Sequence, residues 1–221
     1  MSLERERPPR RLVALASGNG TNLQAVLDAS AAPGFGGVVV AVVSDWPDAF
    51  ALERAGRAGI PAIALPFAKG RKRADYDSAL ADAVAAYQPD FILLLGWMRI
   101  LTDAFLSRFP GKVVNLHPAL PGTFPGTHSI ERALEAYRTG SIAKTGVMTH
   151  FVPDEGVDCG PVIAVAEVEI RPDDDLASLE SRVHSAEHRL VVETVTSLVD
   201  ENNHRDTETQ RNAKENGNVE E

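Results

Sequence analysis

Cysteine is almost missing from this 221-residue chain: Cys159 stands alone, which excludes an internal disulfide and any multi-cysteine metal site within one chain. No apolar run is long enough to span a bilayer, and residues 1–10 mix both charge signs without the apolar segment of a secretory signal. A soluble, cytoplasmic protein without a membrane partner is expected. A basic excess is also lacking. The formal net charge is −9, and residues 200–221, with seven acids and three bases, account for four of those charges. Nucleic acid is therefore excluded as a partner class, and any phosphate contact must be local.

What is present is an alternation of short apolar runs and amphipathic stretches. Residues 11–16 form a buried strand and 21–30 a helix with Leu23, Val26 and Leu27 at helical spacing; 38–43 is a second strand and 47–58 a helix with proline near its first turn. The pattern continues with a strand at 61–65, a helix at 74–87, and an almost wholly apolar strand at 90–95. A helix at 102–108 and a strand at 112–117 follow, the strand turning polar at its far end. Runs this apolar predict an α/β fold, a doubly wound and mainly parallel sheet with helices on both faces. Residues 118–127, with three prolines and two glycines, make a rigid loop before a helix at 129–137. Strands at 146–152 and 161–170 are expected as an antiparallel C-terminal pair, and a helix at 176–199 closes the domain. The organisation is a flexible leader at 1–10, one domain at 11–199, and an acidic tail at 200–221 too poor in apolar side chains to order itself.

Chemistry concentrates where these strands end. Ser17-Gly-Asn-Gly-Thr-Asn22 lies between a strand and a helix, where backbone N–H groups and the helix dipole hold a phosphate; the alternative is a tight turn with a Thr or Asn cap. It matches neither the dinucleotide fingerprint, which would need glycine in place of Leu23, nor a Walker loop. At the end of the 112–117 strand, alternation points Asn115 and His117 to one side, an amide and an imidazole suited to a developing oxyanion. Asp158 sits between glycines in the turn 153–160, where its carboxylate would raise the histidine pKa. His128 and His150 are left out of the chemistry, His150 as a satisfied core residue, and Glu187-His188 is favoured as a solvated helix face. Trp97-Met-Arg-Ile-Leu101 offers apolar surface and exposed backbone to a planar heterocycle.

Together, Ser17-Gly-Asn-Gly-Thr-Asn22, Gly96-Trp-Met-Arg-Ile-Leu101, Asn115-Leu-His-Pro118, Pro125-Gly-Thr-His128 and Asp158-Cys-Gly-Pro161 closely resemble the phosphoribosylglycinamide formyltransferases, over residues 11–199. The resemblance implies the formyltransferase fold and transfer of a formyl group from 10-formyltetrahydrofolate to the glycinamide amine of a ribosyl phosphate in purine synthesis. By resemblance Asn115, His117 and Asp158 are catalytic, with direct amine attack through a tetrahedral oxyanion and Asp158 keeping the imidazole protonated. Gly20, Thr21, Asn22 and Glu187 hold the phosphoribosylglycinamide, and Arg73, Met98, Arg99, Ile100, Leu101 and Asn115 form the folate site; no metal is expected. The partners are small molecules, with a monomer or a homodimer equally open.

This chain departs from the usual family pattern in His117-Pro-Ala-Leu-Pro-Gly122, in Trp97 where Phe is common, and in Ile130 where a second histidine is frequent. The rival readings are a methionyl-tRNA formyltransferase, whose basic tRNA-binding domain contrasts with the acidic end here, and a formyltetrahydrofolate hydrolase, which carries an extra N-terminal domain. A silent folate- or nucleotide-binding protein is the rival of another class, and the intact Asn115, His117 and Asp158 oppose it.

Overall fold

Strand alternation divides the core in two. In the computed structural model, which describes residues 8–216 and the side chains of residues 8–200, one layer of apolar side chains lies on each face of a seven-stranded sheet. The strands are β1 (Arg10–Leu15), β2 (Gly37–Ser44), β3 (Ala62–Ala64), β4 (Phe91–Leu94), β5 (Val113–His117), β6 (Lys144–Phe151) and β7 (Val162–Glu169). Their spatial order is β3-β2-β1-β4-β5-β6-β7. The first five run parallel, and β6 and β7 continue the sheet antiparallel, as the sequence predicted for the C-terminal pair.

The helices are α1 (Thr21–Ser30), α2 (Phe50–Arg57), α3 (Arg73–Ala85), α4 (Asp103–Leu106), α5 (Ser129–Arg138) and α6 (Leu176–Asn216). Leu23, Val26 and Leu27 of α1 share a layer with Leu12 and Ala14 of β1 and Leu190 and Val191 of α6. Val13 and Leu15 face the opposite way, onto Tyr76, Leu80 and Val84 of α3. Each fully buried Leu or Val here contributes about 1.5–3 kcal/mol relative to leaving it exposed, and β4, with all four residues buried, is the centre of both layers. Among the described residues, no helix is long and apolar enough to cross a membrane.

Two boundaries differ most from expectation. The helix expected from 47 begins at Phe50 after Ala49 as N-cap, so Pro47 lies in the preceding turn rather than in the first helical turn. The helix expected to close at 199 is continuous to Asn216. Residues 1–7 of the expected leader lie outside the described residues, as do 217–221 of the expected tail and the side chains of 201–216; Arg10 already belongs to β1.

Candidate active site

The order reversal in the sheet lies between β1 and β4, which are hydrogen-bonded neighbours although β1 is also paired to β2. Open sheets of this kind hold ligands at the carboxyl ends of the strands flanking such a point. There the phosphate-type turn meets the heterocycle segment: Ser17 N–H donates to Gly96 O at 3.1 Å and Met98 N–H to Ser17 Oγ at 3.0 Å. Asn115 follows as the register partner of Leu94.

Asn115 and His117 do share one face of β5, alternating with the buried Val114 and Leu116. Both reach Asp158. Asn115 Nδ2 donates to Asp158 Oδ1 at 2.9 Å, and His117 Nδ1 is 3.2 Å from Asp158 Oδ2. The Gly126 N–H donates to the same Oδ2 at 2.8 Å, so the loop after His117 is tied to the carboxylate. Asp158 itself takes a left-handed φ of 52°, which Asp tolerates better than most residues, and a Cβ at Gly160 would strike the Phe151 carbonyl.

Burial raises the Asp158 pKa, but hydrogen bonds from His150 and Gly126 and the neighbouring imidazoles outweigh it and leave the carboxyl below its ordinary value. For His117 the balance falls the other way. Only 4% exposed, it has its pKa lowered by burial, against the upward pull of Asp158 and of the Phe124 carbonyl. Asp158 raises the histidine pKa in the expected direction, and in the free protein desolvation of the ring exceeds that attraction. Phe124, held at φ 45°, places its carbonyl 3.1 Å from His117 Nε2, so this ring edge is covered by the loop.

Sequence reasoning missed His150. It is 1% exposed and stands opposite Asn115 across the β5–β6 ladder, with Nε2 3.1 Å from Asn115 Nδ2 and 3.5 Å from Asp158 Oδ1. Only the antiparallel register brings it there, and periodicity within one strand does not reveal register. His128 is placed apart, on the N-cap of α5 with its ring exposed and Nδ1 3.2 Å from Glu131. Glu187, favoured as a solvated residue, is 5% exposed and lies 2.6 Å from His184 Nδ1.

The turn before α1 has no side-chain cap. Gly20 is the N-cap at φ 75°, and the N–H groups of Thr21, Asn22 and Leu23 meet no acceptor among the described residues. This removes the Thr or Asn cap considered from sequence and leaves donors free for an anion. Arg54 fixes the turn from α2, donating from Nε to Asn19 O and from Nη2 to Asn19 Oδ1, each at 2.8 Å.

In the heterocycle segment Met98 and Ile100 are 67% and 56% exposed, whereas Leu101 and Trp97 are buried. Arg73 donates to the Ile100 carbonyl and pairs with the buried Asp77 at 3.3 Å. Arg99 turns inward to Asp45. No group of three or more His, Cys, Asp or Glu among the described residues could hold a metal ion.

Residues 10–195 match the formyl transferase family model. The chain is 41% identical over 205 residues to the phosphoribosylglycinamide formyltransferase of Schizosaccharomyces pombe, covering 86% of this chain and 98% of that one. It is 42% identical over 190 residues to the Mycobacterium tuberculosis enzyme of that name, covering 86% and 85%. Among solved structures, glycinamide ribonucleotide transformylase 1 from Symbiobacterium toebii superposes with a TM-score of 0.81 at 38% identity, covering 87% of this chain and 88% of that one.

Proposed function

The chain belongs to the formyl transferase family, and within it to the phosphoribosylglycinamide formyltransferases of purine biosynthesis; from that premise we propose that it moves the formyl group of 10-formyltetrahydrofolate to the glycinamide amine by direct attack. The observation that carries the reading is the convergence of Asn115, His117 and His150 on the single carboxylate of Asp158. No side chain there is an obvious nucleophile for a covalent intermediate, while an amide, an imidazole and a carboxylate suffice for a tetrahedral one.

Gly20, Thr21 and Asn22 offer their free N–H groups to the ribosyl phosphate, and Glu187 accepts from the sugar. Met98 to Leu101, with Arg73, border the folate. The neutral amine attacks the formyl carbon, forming the C–N bond and placing negative charge on the formyl oxygen. That oxygen replaces the Phe124 carbonyl at His117 Nε2, and the Asn115 amide turns one N–H toward it. As that charge grows, His117 takes up a proton from solvent to become the imidazolium, with the Asp158 carboxylate already against Nδ1, and gives it back when the tetrahedral species collapses. Asp158, through a water, accepts the proton of the attacking nitrogen and passes it to the departing N10. The C–N10 bond then breaks, leaving tetrahydrofolate and the formylated product. A His117 whose pKa is lowered by burial yet which is flanked by two acceptors suits a group charged as the oxyanion forms.

Purified protein given 10-formyltetrahydrofolate and phosphoribosylglycinamide is expected to release tetrahydrofolate. His117→Ala and Asp158→Asn should each lower kcat by about 10²–10⁴-fold, with acceptor KM nearly unchanged. Turnover with methionyl-tRNA but not with phosphoribosylglycinamide overturns the substrate assignment.

A further inference from the structure

Asp45 follows β2 directly, with its side chain 1% exposed. A carboxylate so buried needs a compensating charge. Arg99 supplies it, with Nε 2.6 Å from Asp45 Oδ2, while Asp45 Oδ1 meets no hydrogen-bond partner among the described residues. The Arg99 guanidinium also lies 4.7 Å above the Phe67 ring. Phe67 stands edge-on against Tyr76 at 5.1 Å, and Tyr76 Oη donates to Leu65 O at 2.7 Å. One arginine therefore ties together the segments that follow β2, β3 and β4.

The 98–102 segment is also held in its middle, where Arg73 donates to the Ile100 carbonyl, and at its two ends. Met98 N–H is held by Ser17 Oγ, and Thr102 donates through both N–H and Oγ1 to Asp77 Oδ2, each at 2.8 Å. Between them the N–H groups of Arg99, Ile100 and Leu101 meet no acceptor among the described residues. This is a backbone edge whose direction is set jointly by the Arg73 bond to the Ile100 carbonyl and by where the Arg99 side chain is anchored.

We propose that Asp45 is a positioning residue for the formyl donor: by drawing Arg99 inward against Phe67 it fixes the 98–101 backbone edge against which the planar ring of a reduced pterin docks. The inference rests on the donor reading given above. A pterin edge alternates donors and acceptors, so it pairs with backbone N–H and carbonyl groups held at one angle and loses affinity to a segment that must first be ordered. The inward turn also keeps the guanidinium off the exposed surface of Met98 and Ile100, where it would compete with the ring.

The test uses the full chain. Asp45→Asn is expected to raise the KM for 10-formyltetrahydrofolate about tenfold, with kcat and the acceptor KM within about twofold. A merely structural role would lower the melting temperature and leave that ratio of KM values unmoved. Arg99→Gln leaves Asp45 buried without its partner and should lower the melting temperature most. The double variant Asp45→Asn/Arg99→Gln removes both charges; its melting temperature should recover while the donor KM stays raised. Normal turnover with an unchanged donor KM in both Asp45→Asn and the double variant overturns this inference alone. Absence of turnover by the unaltered chain with 10-formyltetrahydrofolate overturns the donor reading and this inference together.

Discussion

Asn115 and His150 face each other across the antiparallel β5–β6 ladder, with the Asn115 amide nitrogen 3.1 Å from His150 Nε2. His150 Nδ1 lies 2.9 Å from the Phe151 carbonyl, so the ring is held by the backbone at one nitrogen and faces Asn115 and Asp158 with the other. The second Asn115 N–H goes to Asp158. Both donors of the amide are thus oriented by the two groups that flank the reacting centre, and neither is spent on solvent.

On the mechanism proposed above, His150→Ala should lower kcat by about 10²-fold, since an Asn115 amide freed to rotate loses its alignment. Substrate KM values should change little, because His150 is buried behind Asn115 rather than exposed to ligand. Steady-state kinetics decides: a kcat within threefold of the unaltered chain would reduce His150 to a packing residue.

The titration of His117 gives a second expectation with a definite sign. Burial places its pKa below the ordinary 6.5, and Asp158 pulls upward against burial. Removing that carboxylate in Asp158→Asn takes away an attraction for the imidazolium, so the pKa should fall further. Proton NMR of the histidine ring protons across acid pH measures it directly; a rise in the variant would show that the carboxylate does not act on the ring. The stability linkage has the same sense. A histidine whose folded pKa is depressed is uncharged at no cost above 6.5, and its contribution is lost as pH falls from there through the lowered value. Asp158, also depressed, contributes above the ordinary carboxylate value and loses its contribution as pH falls through its own.

His184 behaves oppositely. Its hydrogen bond to Glu187 raises the pKa, more than burial lowers it. Its stabilising contribution is complete below the ordinary 6.5 and is lost as pH rises through the raised value. Thermal melts of His184→Asn and the unaltered chain should therefore converge as pH increases through neutrality. A gap that widens instead would mean that the pair is not charged. The ring is half exposed, so the effect should also shrink with added salt.

Much of the architecture was legible because it is written in period. The apolar runs at 11–16, 38–43 and 90–95 announce buried parallel strands, and the Leu23, Val26 and Leu27 stripe places α1 on the bounds that the structure has. The common side of Asn115 and His117 follows from alternation alone. What periodicity cannot carry is which strand lies beside which, and at what offset. His150 enters the site through the offset of β6 against β5. Glu187 is buried because of the face of α6 that packs inward, and the inward course of Arg99 depends on a carboxylate more than fifty positions earlier in the chain. The pKa of His117 divides in the same way: the raising effect of Asp158 is visible in sequence, whereas the depth of burial that opposes it is not.

Gly20 and Gly18 flank Asn19 in the same turn, yet they should respond differently to substitution. A Cβ on Gly20 would sit 2.8 Å from Ala51 Cβ and 2.9 Å from Ala51 Cα, at a φ of 75° that costs an L residue further. At Gly18 nothing lies within 4 Å of the added carbon. Gly20→Ala combines a left-handed backbone cost of about 1 kcal/mol with overpacking of about 1–3 kcal/mol, equivalent to a melting temperature roughly 4–16 °C lower for a chain of this size. Gly18→Ala should melt within about 2 °C of the unaltered protein. Relief of the Ala51 clash must shift the turn or α2, which moves the free N–H groups of Thr21 and Asn22. The KM for the phosphorylated acceptor should then rise more than that for the same acceptor lacking its phosphate. Equal loss of stability in the two alanine variants would show that the approach of Ala51 is not what requires glycine at position 20, and equal KM changes for the two acceptors would show that the turn does not hold the phosphate.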